Sequence, residues 1–309
     1  MKYLFGPVNS RRLGISLGVD LMPCKTCSLD CVYCECGPTT VETSETGEYV
    51  PTDEVIAELD RFLRDSPRLD VITFSGSGEP TLHSGIGRII GHLKRSYPRY
   101  RVAVLTNGTT LGDPAVRGAI AGADIVVPSL DAVSPGAFNA IVRPSAGITP
   151  DAVVAGLEAF RGEFQGKIFL EIFIVPGIND TGTELALLKN ACLKIRPDLI
   201  QINSLDRPGT ESWVLPAERD RLESIARFFE PLAVEIIGSP ADRRFAGRGE
   251  SDLAKSIIGL LRRRPSTADD IEKSLGAGRG EVEKALSKMV EIGMITVERL
   301  DRGEFYRVV

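Results

Sequence analysis

Two rhythms of apolar residues alternate along most of the chain. Leu13 to Leu21 alternates apolar and polar positions, as a half-buried strand does. Short apolar runs follow at Asp70–Phe74, Arg101–Leu105, Ala123–Pro128, Lys167–Val175 and Leu199–Asn203. Between them the spacing is helical. Val55, Ile56, Leu59, Phe62 and Leu63 share one face, as do Ile86, Ile89, Ile90, Leu93 and Tyr97. Val153, Val154, Leu157 and Phe160 form another stripe, and Leu185, Leu188, Cys192 and Ile195 a further one that puts Cys192 in the core. The last helix of this series runs from Pro216 to Phe229. Thr52 before Asp53-Glu54, Asp113-Pro114 and Thr149-Pro150 read as helix starts, because a capping oxygen accepts from the free N–H groups of a first turn. Six such units predict a parallel α/β sheet, either doubly wound or closed into a complete or partial barrel.

The pattern changes at 239–251, where Gly, Pro, Asp and Arg replace the apolar period. Beyond it the sequence predicts helices over Leu253–Leu261, after a Thr267 cap, and over Gly280–Met294. Ile295–Leu300 and Glu304–Val309 then form a hairpin about Asp301-Arg-Gly. This divides the chain into residues 1–240, a linker at 241–251, and a small unit at 252–309 that resembles a winged helix.

Residues with chemical character concentrate at the carboxyl ends of the predicted strands, where parallel α/β folds bind ligands. These are Ser75-Gly-Ser-Gly-Glu-Pro80, Thr106-Asn-Gly108, Ser129-Leu-Asp131, Pro176-Gly-Ile-Asn-Asp180 and Asn203. The first strand leads into Cys24-Lys-Thr-Cys-Ser-Leu-Asp-Cys-Val-Tyr-Cys-Glu-Cys36, which holds five of the six cysteines.

Composition narrows what that loop does. The formal charge of −5 lacks the basic excess of a chain-wide nucleic-acid or membrane-surface protein. No apolar run approaches the roughly 18 residues that span a bilayer, and the start has no secretory h-region. A cytoplasmic protein is expected, and there clustered thiols serve as metal ligands or catalysts more often than as disulfides. Only three residues separate Cys27 from Cys31, and the chain has only two histidines, His83 and His92; both facts count against a zinc knuckle. Gaps of two, three and two, without a proline after Cys34, depart from ferredoxin spacing. A closed electron-transfer cluster with Cys24 as fourth ligand and a cluster with one open iron both stay in play.

Cys27-x3-Cys31-x2-Cys34, with Tyr33 just before the third cysteine, resembles the cluster motif of the radical S-adenosylmethionine (SAM) enzymes. Ser75–Pro80 is similar to their Gly-Gly-Glu-Pro segment, and Leu105–Gly108 and Val175–Asp180 resemble later segments; the likeness covers residues 5–240. More narrowly, Phe5-Gly-Pro, Ser10–Ser16 and Phe138–Pro144 resemble the iron–sulfur oxidoreductase branch related to the tRNA-modifying wybutosine-synthesis enzymes. Only Cys24 lies upstream of the motif, too few for a second full cluster there.

The resemblance implies a partial (β/α)6 TIM-type barrel in which Cys27, Cys31 and Cys34 hold a [4Fe–4S] cluster whose open iron binds SAM. A reductant such as flavodoxin or ferredoxin would supply one electron. SAM would then yield methionine and a 5′-deoxyadenosyl radical that takes hydrogen from a substrate, tRNA or another nucleic-acid-related molecule among the candidates. Glu79 with the Gly76-Ser77-Gly78 backbone would hold the SAM ammonium, and Tyr33 would lie against the adenine, bordered by Ile174 and Val175. Asn107 and Ser129 would reach the ribose, and Arg143 the methionine carboxylate or a substrate anion. Each has a plainer alternative. Asn107-Gly108 is also a common turn, Arg143 can pair with a surface carboxylate, and Glu171 can line the barrel or hold a salt bridge. Cys24 and Cys36 read as inert thiols beside the cluster, the alternative being that one ligates an auxiliary centre or donates a hydrogen atom. A redox or transcriptional sensor is the rival from another class. From Ser251 to Val309 there are 11 Lys/Arg against 10 Asp/Glu, so nucleic-acid contact competes with protein contact for the small unit.

Overall fold

A computed structural model describes residues 1–238, 250–300 and 303–309. The predicted linker falls largely on 239–249, and the hairpin turn on 301–302; both lie outside the described residues.

β1 (Leu4–Ser10) turns back onto β2 (Gly14–Val19), which runs into the cysteine loop and its two-residue strands β3 (Thr26–Cys27) and β4 (Val41–Glu42). From there helices and strands alternate: α1 (Thr52–Leu63), β5 (Val71–Phe74), α2 (Ile86–Ser96), β6 (Arg101–Thr106), α3 (Pro114–Ile120) and β7 (Ile125–Pro128). Two helices, α4 (Pro135–Val142) and α5 (Pro150–Glu163), precede β8 (Lys167–Phe173). The series ends with α6 (Gly182–Ile195), β9 (Leu199–Asn203), α7 (Arg219–Phe228) and β10 (Val234–Ile236).

The main sheet has the order β1-β2-β5-β6-β7-β8-β9-β10. All neighbours from β2 onward pair in parallel, and β1 pairs with β2 antiparallel. Every residue of β5 and β7 is buried, as expected of parallel strands covered on both faces. One face packs Leu17, Ile72, Val104, Val126, Leu170 and Ile202 against the apolar stripes of the helices. The other face carries a smaller cluster (Leu13, Val71, Ala103, Ile125, Val127) and polar groups, including a Ser16–Thr73 hydroxyl pair at 2.7 Å. That mixed face leads up to the site.

Several expectations need correction. β1 was not expected, because Gly6-Pro7 interrupts its pattern; the structure accommodates the pair as an irregularity in the ladder between Phe5 and Val8. The chain between β7 and α5 also holds α4, capped by Ser134, and β10 extends the sheet beyond β9. The α1 cap is Pro51 without a side-chain bond, and Thr52 is buried as the first helical residue, its N–H donating to Glu48 at 2.9 Å. Asp113 and Thr149 do cap α3 and α5, and Cys192 is buried on α6 as expected.

The C-terminal residues form α8 (Glu250–Leu261), α9 (Ala268–Leu275), α10 (Arg279–Glu291) and the hairpin β11 (Ile295–Leu300)–β12 (Gly303–Val308). Thr267 and Asp270 close a capping box at the start of α9. The core of these elements, built on Ile257, Leu260, Ile271, Leu286 and Ile295, also takes in Val8 of β1. The unexpected first strand is therefore where the C-terminal elements meet the sheet. Among the described residues, no helix is long and apolar enough to cross a membrane.

Candidate functional site

The cysteine loop leaves the carboxyl end of β2 and is fastened on three sides. Asp30 N–H donates to Val142 O at 3.0 Å and Val32 N–H to Ile141 O at 2.9 Å, tying it to the end of α4. Glu79 N–H donates to Thr26 O at 3.1 Å, tying it to the loop after β5. Glu211 N–H donates to Val32 O at 2.9 Å, bringing in the segment after β9. Glycine is required at the second contact, since a Cβ on Gly78 would stand 2.0 Å from Thr26 O. Gly76 has φ +143° and packs on Asp20, where a Cβ would lie 2.4 Å from the carboxyl carbon.

These loops enclose a cavity of about 240 Å³. Cys27, Cys31, Tyr33 and Cys34 line it together with Gly76, Gly78, Glu79, Asn107 and Ser129, the meeting of strand-end residues expected from the sequence. Ser77, Arg143 and Val175 do not line it. Ser77 turns away and donates its hydroxyl to Asp20 Oδ2 at 2.7 Å. Arg143 donates to Glu211 Oε1 at 2.6 Å and lies 3.7 Å from Asp30, the plainer of its two readings. Val175 is buried, and its N–H donates to Asn179 Oδ1, which braces the loop after β8. Asn179 also donates to the Asp131 and Phe173 carbonyls, so Pro176–Asp180 supports the site without lining it.

Glu79 is 3% exposed. Oε1 accepts from Thr81 N–H and from the Thr81 and Thr106 hydroxyls, whereas Oε2 accepts only Asn107 N–H, at 2.7 Å, among the described residues. Oε2 thus keeps spare acceptor capacity. Burial pushes the Glu79 carboxyl up, against those hydrogen bonds. Asn107 donates its amide to Ser28 Oγ at 3.0 Å and toward Cys27 Sγ at 3.5 Å. Tyr33 stacks on Phe173 with centroids 3.9 Å apart and donates its hydroxyl to Asp131, which burial raises to about 7. Glu171 lines the cavity and also pairs with Arg12 and Asn203, so both of its readings hold.

Three participants were not read from the sequence. Lys25 is buried, lines the cavity and donates to Cys34 Sγ at 2.9 Å; a lysine inside a cysteine cluster was the available signal. Phe173 supplies the stacking partner of Tyr33. Gly209 lies so close that a Cβ would be 2.9 Å from the Tyr33 carbonyl carbon, a contact no local pattern announces.

The other side of the loop is built differently. Cys24, Glu35 and Cys36 face a larger cavity of about 1370 Å³ between the N-terminal strands and the C-terminal elements. The Cys36 thiol has one hydrogen and three acceptors in reach: the Gly76 and Arg263 carbonyls and the Cys34 sulfur. Arg207, 2% exposed, lies between Glu35 at 3.4 Å and Asp270 at 3.6 Å, and Arg11 reaches Glu35 and Asp206. Of the run Arg262–Arg264, only Arg262 is exposed; Arg263 donates to Asp20 at 3.0 Å.

Cys27, Cys31 and Cys34 line one cavity, and the donor set suits a four-iron cluster, which takes its thiolates at separate corners. Hydrogen bonding from Cys36 and the charge of Lys25 hold the Cys34 thiol below its ordinary range, while burial pushes Cys27 up to about 11.

The site is thus a cavity lined by three thiols at the carboxyl edge of a parallel α/β sheet. A family model described as the Radical SAM superfamily matches residues 21–187, more than half of the chain. A Helicobacter pylori UPF0026 protein is 30% identical over 98% of this chain and 96% of its own length. A Brachyspira hyodysenteriae protein named GTPase Obg is 35% identical over 96% of this chain, which spans 44% of that protein. The structure of Streptococcus suis SuiB bound to SAM has the same fold at 14% identity and TM-score 0.55, over 77% of this chain and 54% of that one. The chain belongs to the radical SAM superfamily and, along its length, to the UPF0026 proteins within it. Superfamily members are enzymes that use a [4Fe–4S] cluster and SAM and require a reductant, and this chain is one of them.

Proposed function

We propose that Cys27, Cys31 and Cys34 hold the cluster and that the chain cleaves SAM reductively at the mouth of a partial (β/α)6 barrel formed by β2 and β5–β9 with their helices. The observation that supports this most is the division of thiols: Cys27, Cys31 and Cys34 share one cavity with Glu79, Asn107 and Ser129, whereas Cys24 and Cys36 face another. When bound, cluster and SAM would together supply one-electron carbon–sulfur cleavage and, through it, the means to remove hydrogen from a substrate.

The residues around the cavity bind, orient and shield. Glu79 Oε2 and the carbonyls near Gly76 and Gly78 would accept from the SAM ammonium, and Thr81, Thr106 and Asn107 fix the Glu79 carboxylate for it. The Tyr33–Phe173 stack presents an aromatic edge for the adenine, held by Asp131. Asn107 and Ser129 lie within the lining to meet ribose hydroxyls. Ser77 holds its loop through Asp20, and Val175 anchors the loop after β8.

Residues 1–240 form the catalytic unit and 252–309 a winged helix that meets protein in preference to nucleic acid. Arg279 of α10 pairs with Glu283 at 2.6 Å, and Arg263 and Arg264 turn inward, which leaves little basic face. The resemblance of Phe5-Gly-Pro, Ser10–Ser16 and Phe138–Pro144 to wybutosine-synthesis enzymes supports a position for the chain beside that branch within the superfamily, the segments falling in β1, the turn into β2, and α4. The electron comes from a flavodoxin or ferredoxin in the cytoplasm.

Anaerobic reconstitution, reduction and addition of SAM test the reading. It predicts 5′-deoxyadenosine and a spectral change on SAM binding; absence of both would sink it.

A further inference from the structure

Lys25 is 4% exposed and the only Lys or Arg lining the cavity among the described residues. Its backbone is pinned: the N–H donates to Thr40 Oγ1 at 2.9 Å, and the carbonyl accepts from Thr40 and Val41 N–H at 3.0 Å. Its ammonium donates to Cys34 Sγ at 2.9 Å, and no carboxylate among the described residues is within ion-pair distance. A buried ammonium without a carboxylate is costly unless another negative group faces it. The groups that face it are the thiols. The donors at Cys27 are neutral, the Leu29 backbone N–H and the Asn107 amide at 3.5 Å, so the two sulfurs are treated differently.

We propose that Lys25 sets the reduction potential of the cluster, an inference that rests on the cysteine assignment above. One electron added to a cluster held by three thiolates makes it more negative by one charge. A fixed cation at a ligating sulfur stabilises that reduced state more than the oxidised one, because cluster potentials follow net charge and hydrogen bonds to sulfur. The electron arrives from the reductant, no bond forms or breaks at Lys25, and its proton stays in place. Lys25 therefore makes the cluster easier to reduce.

The test is a potentiometric titration of the reconstituted full-length protein without SAM, followed by the electron paramagnetic resonance of the reduced cluster. At the wild-type midpoint, the reduced-to-oxidised ratio of Lys25→Met is expected to fall at least tenfold, a shift of about 59 mV to more negative potential for one electron. Lys25→Gln, which keeps a donor without the charge, is expected to fall with it. Lys25→Arg is expected to stay within about threefold of wild type, the charge being retained.

Full cluster loading with an unchanged midpoint in Lys25→Met and Lys25→Gln would overturn the proposal. So would weaker SAM binding at an unchanged midpoint, which would put Lys25 on the ligand's carboxylate. Folded but cluster-poor uncharged variants, with Lys25→Arg restored, would make it an assembly residue and overturn it equally. A wild type that takes up no four-iron cluster, or a Cys31→Ala variant that takes up a full one, would instead remove the cysteine assignment.

Discussion

On the inner face of the cysteine loop, Tyr33 donates to a buried Asp131 that burial raises to about 7; on the outer face, one residue beyond Cys34, Glu35 is held down to about 2. Burial acts against ionisation in both. At Glu35 it is outweighed by Arg207, Arg11 and Arg264, whereas Asp131 has Tyr33 and a backbone N–H as its close partners. The same short loop thus separates a cation-poor cavity from a buried network of three arginines facing Glu35, Asp206 and Asp270. Crowding is evident in the network too: burial and Arg207 bring Arg264 down to about 10, and the Nε atoms of Arg207 and Arg264 lack a partner among the described residues. Lys25 is the one Lys or Arg among the residues lining that cavity, whereas the outer network joins the loop to the C-terminal elements through Arg207 and Asp270.

The division of thiols gives the largest test of this contrast. Cys31→Ala, on the inner face, is expected to abolish the four-iron spectrum, while Cys24→Ala and Cys36→Ala, on the outer face, leave iron content within about twofold of wild type. Iron and sulfide analysis after reconstitution reads both, and a cluster lost in Cys24→Ala would favour electron transfer with Cys24 as fourth ligand.

The network comes next. Arg207→Met takes from buried Asp270 and half-buried Glu35 the cation they share, while Glu35 keeps Arg11, and is expected to cost about 3 kcal/mol in denaturant unfolding. A loss below 1 kcal/mol would mean that the outer face is far wetter than its burial indicates.

The two carboxylates should then respond to pH with opposite sign. Asp131, raised in the folded state, keeps a proton that the unfolded chain releases, so its contribution falls as pH rises from about 3.8 to 7 and is level above that. Glu35, lowered in the folded state, contributes fully above about 4.5, and that contribution is lost as pH falls toward 2. Thermal melts of the cluster-free protein should show the first slope flattened in Asp131→Asn and the second in Glu35→Gln. Matching slopes in the two variants would erase the contrast.

The smallest effect is expected where the same charges meet in water. Arg219→Ala removes an exposed pair with Glu223 one helical turn away on α7, and should cost about 0.3–0.5 kcal/mol.

Much of the fold was legible because its signal is local. A strand covered on both faces must be apolar, as Val71–Phe74 is, and a helix against a sheet must repeat every 3.6 residues, as α2 does. β1 escaped because Gly6-Pro7 broke its period, and with it the contact to the C-terminal core through Val8 went unread. Three adjacent arginines usually stay in water, yet the fold turns two of Arg262–Arg264 toward Asp20 and Glu35.

The sequence by itself determined the alternation of strands and helices, the placing of polar motifs at strand ends, and the supply of thiols at cluster spacing. These depend on residues within one or two turns of each other. Tertiary structure alone decided that Cys27, Cys31 and Cys34 share a cavity which Cys36 does not enter, and that Arg143 pairs with Glu211 away from the cavity. It also placed Lys25 against Cys34 in a pocket with no other lining cation. Those outcomes depend on which loops meet across the sheet and on how much water is left between them, since solvent decides whether a charge is screened or felt.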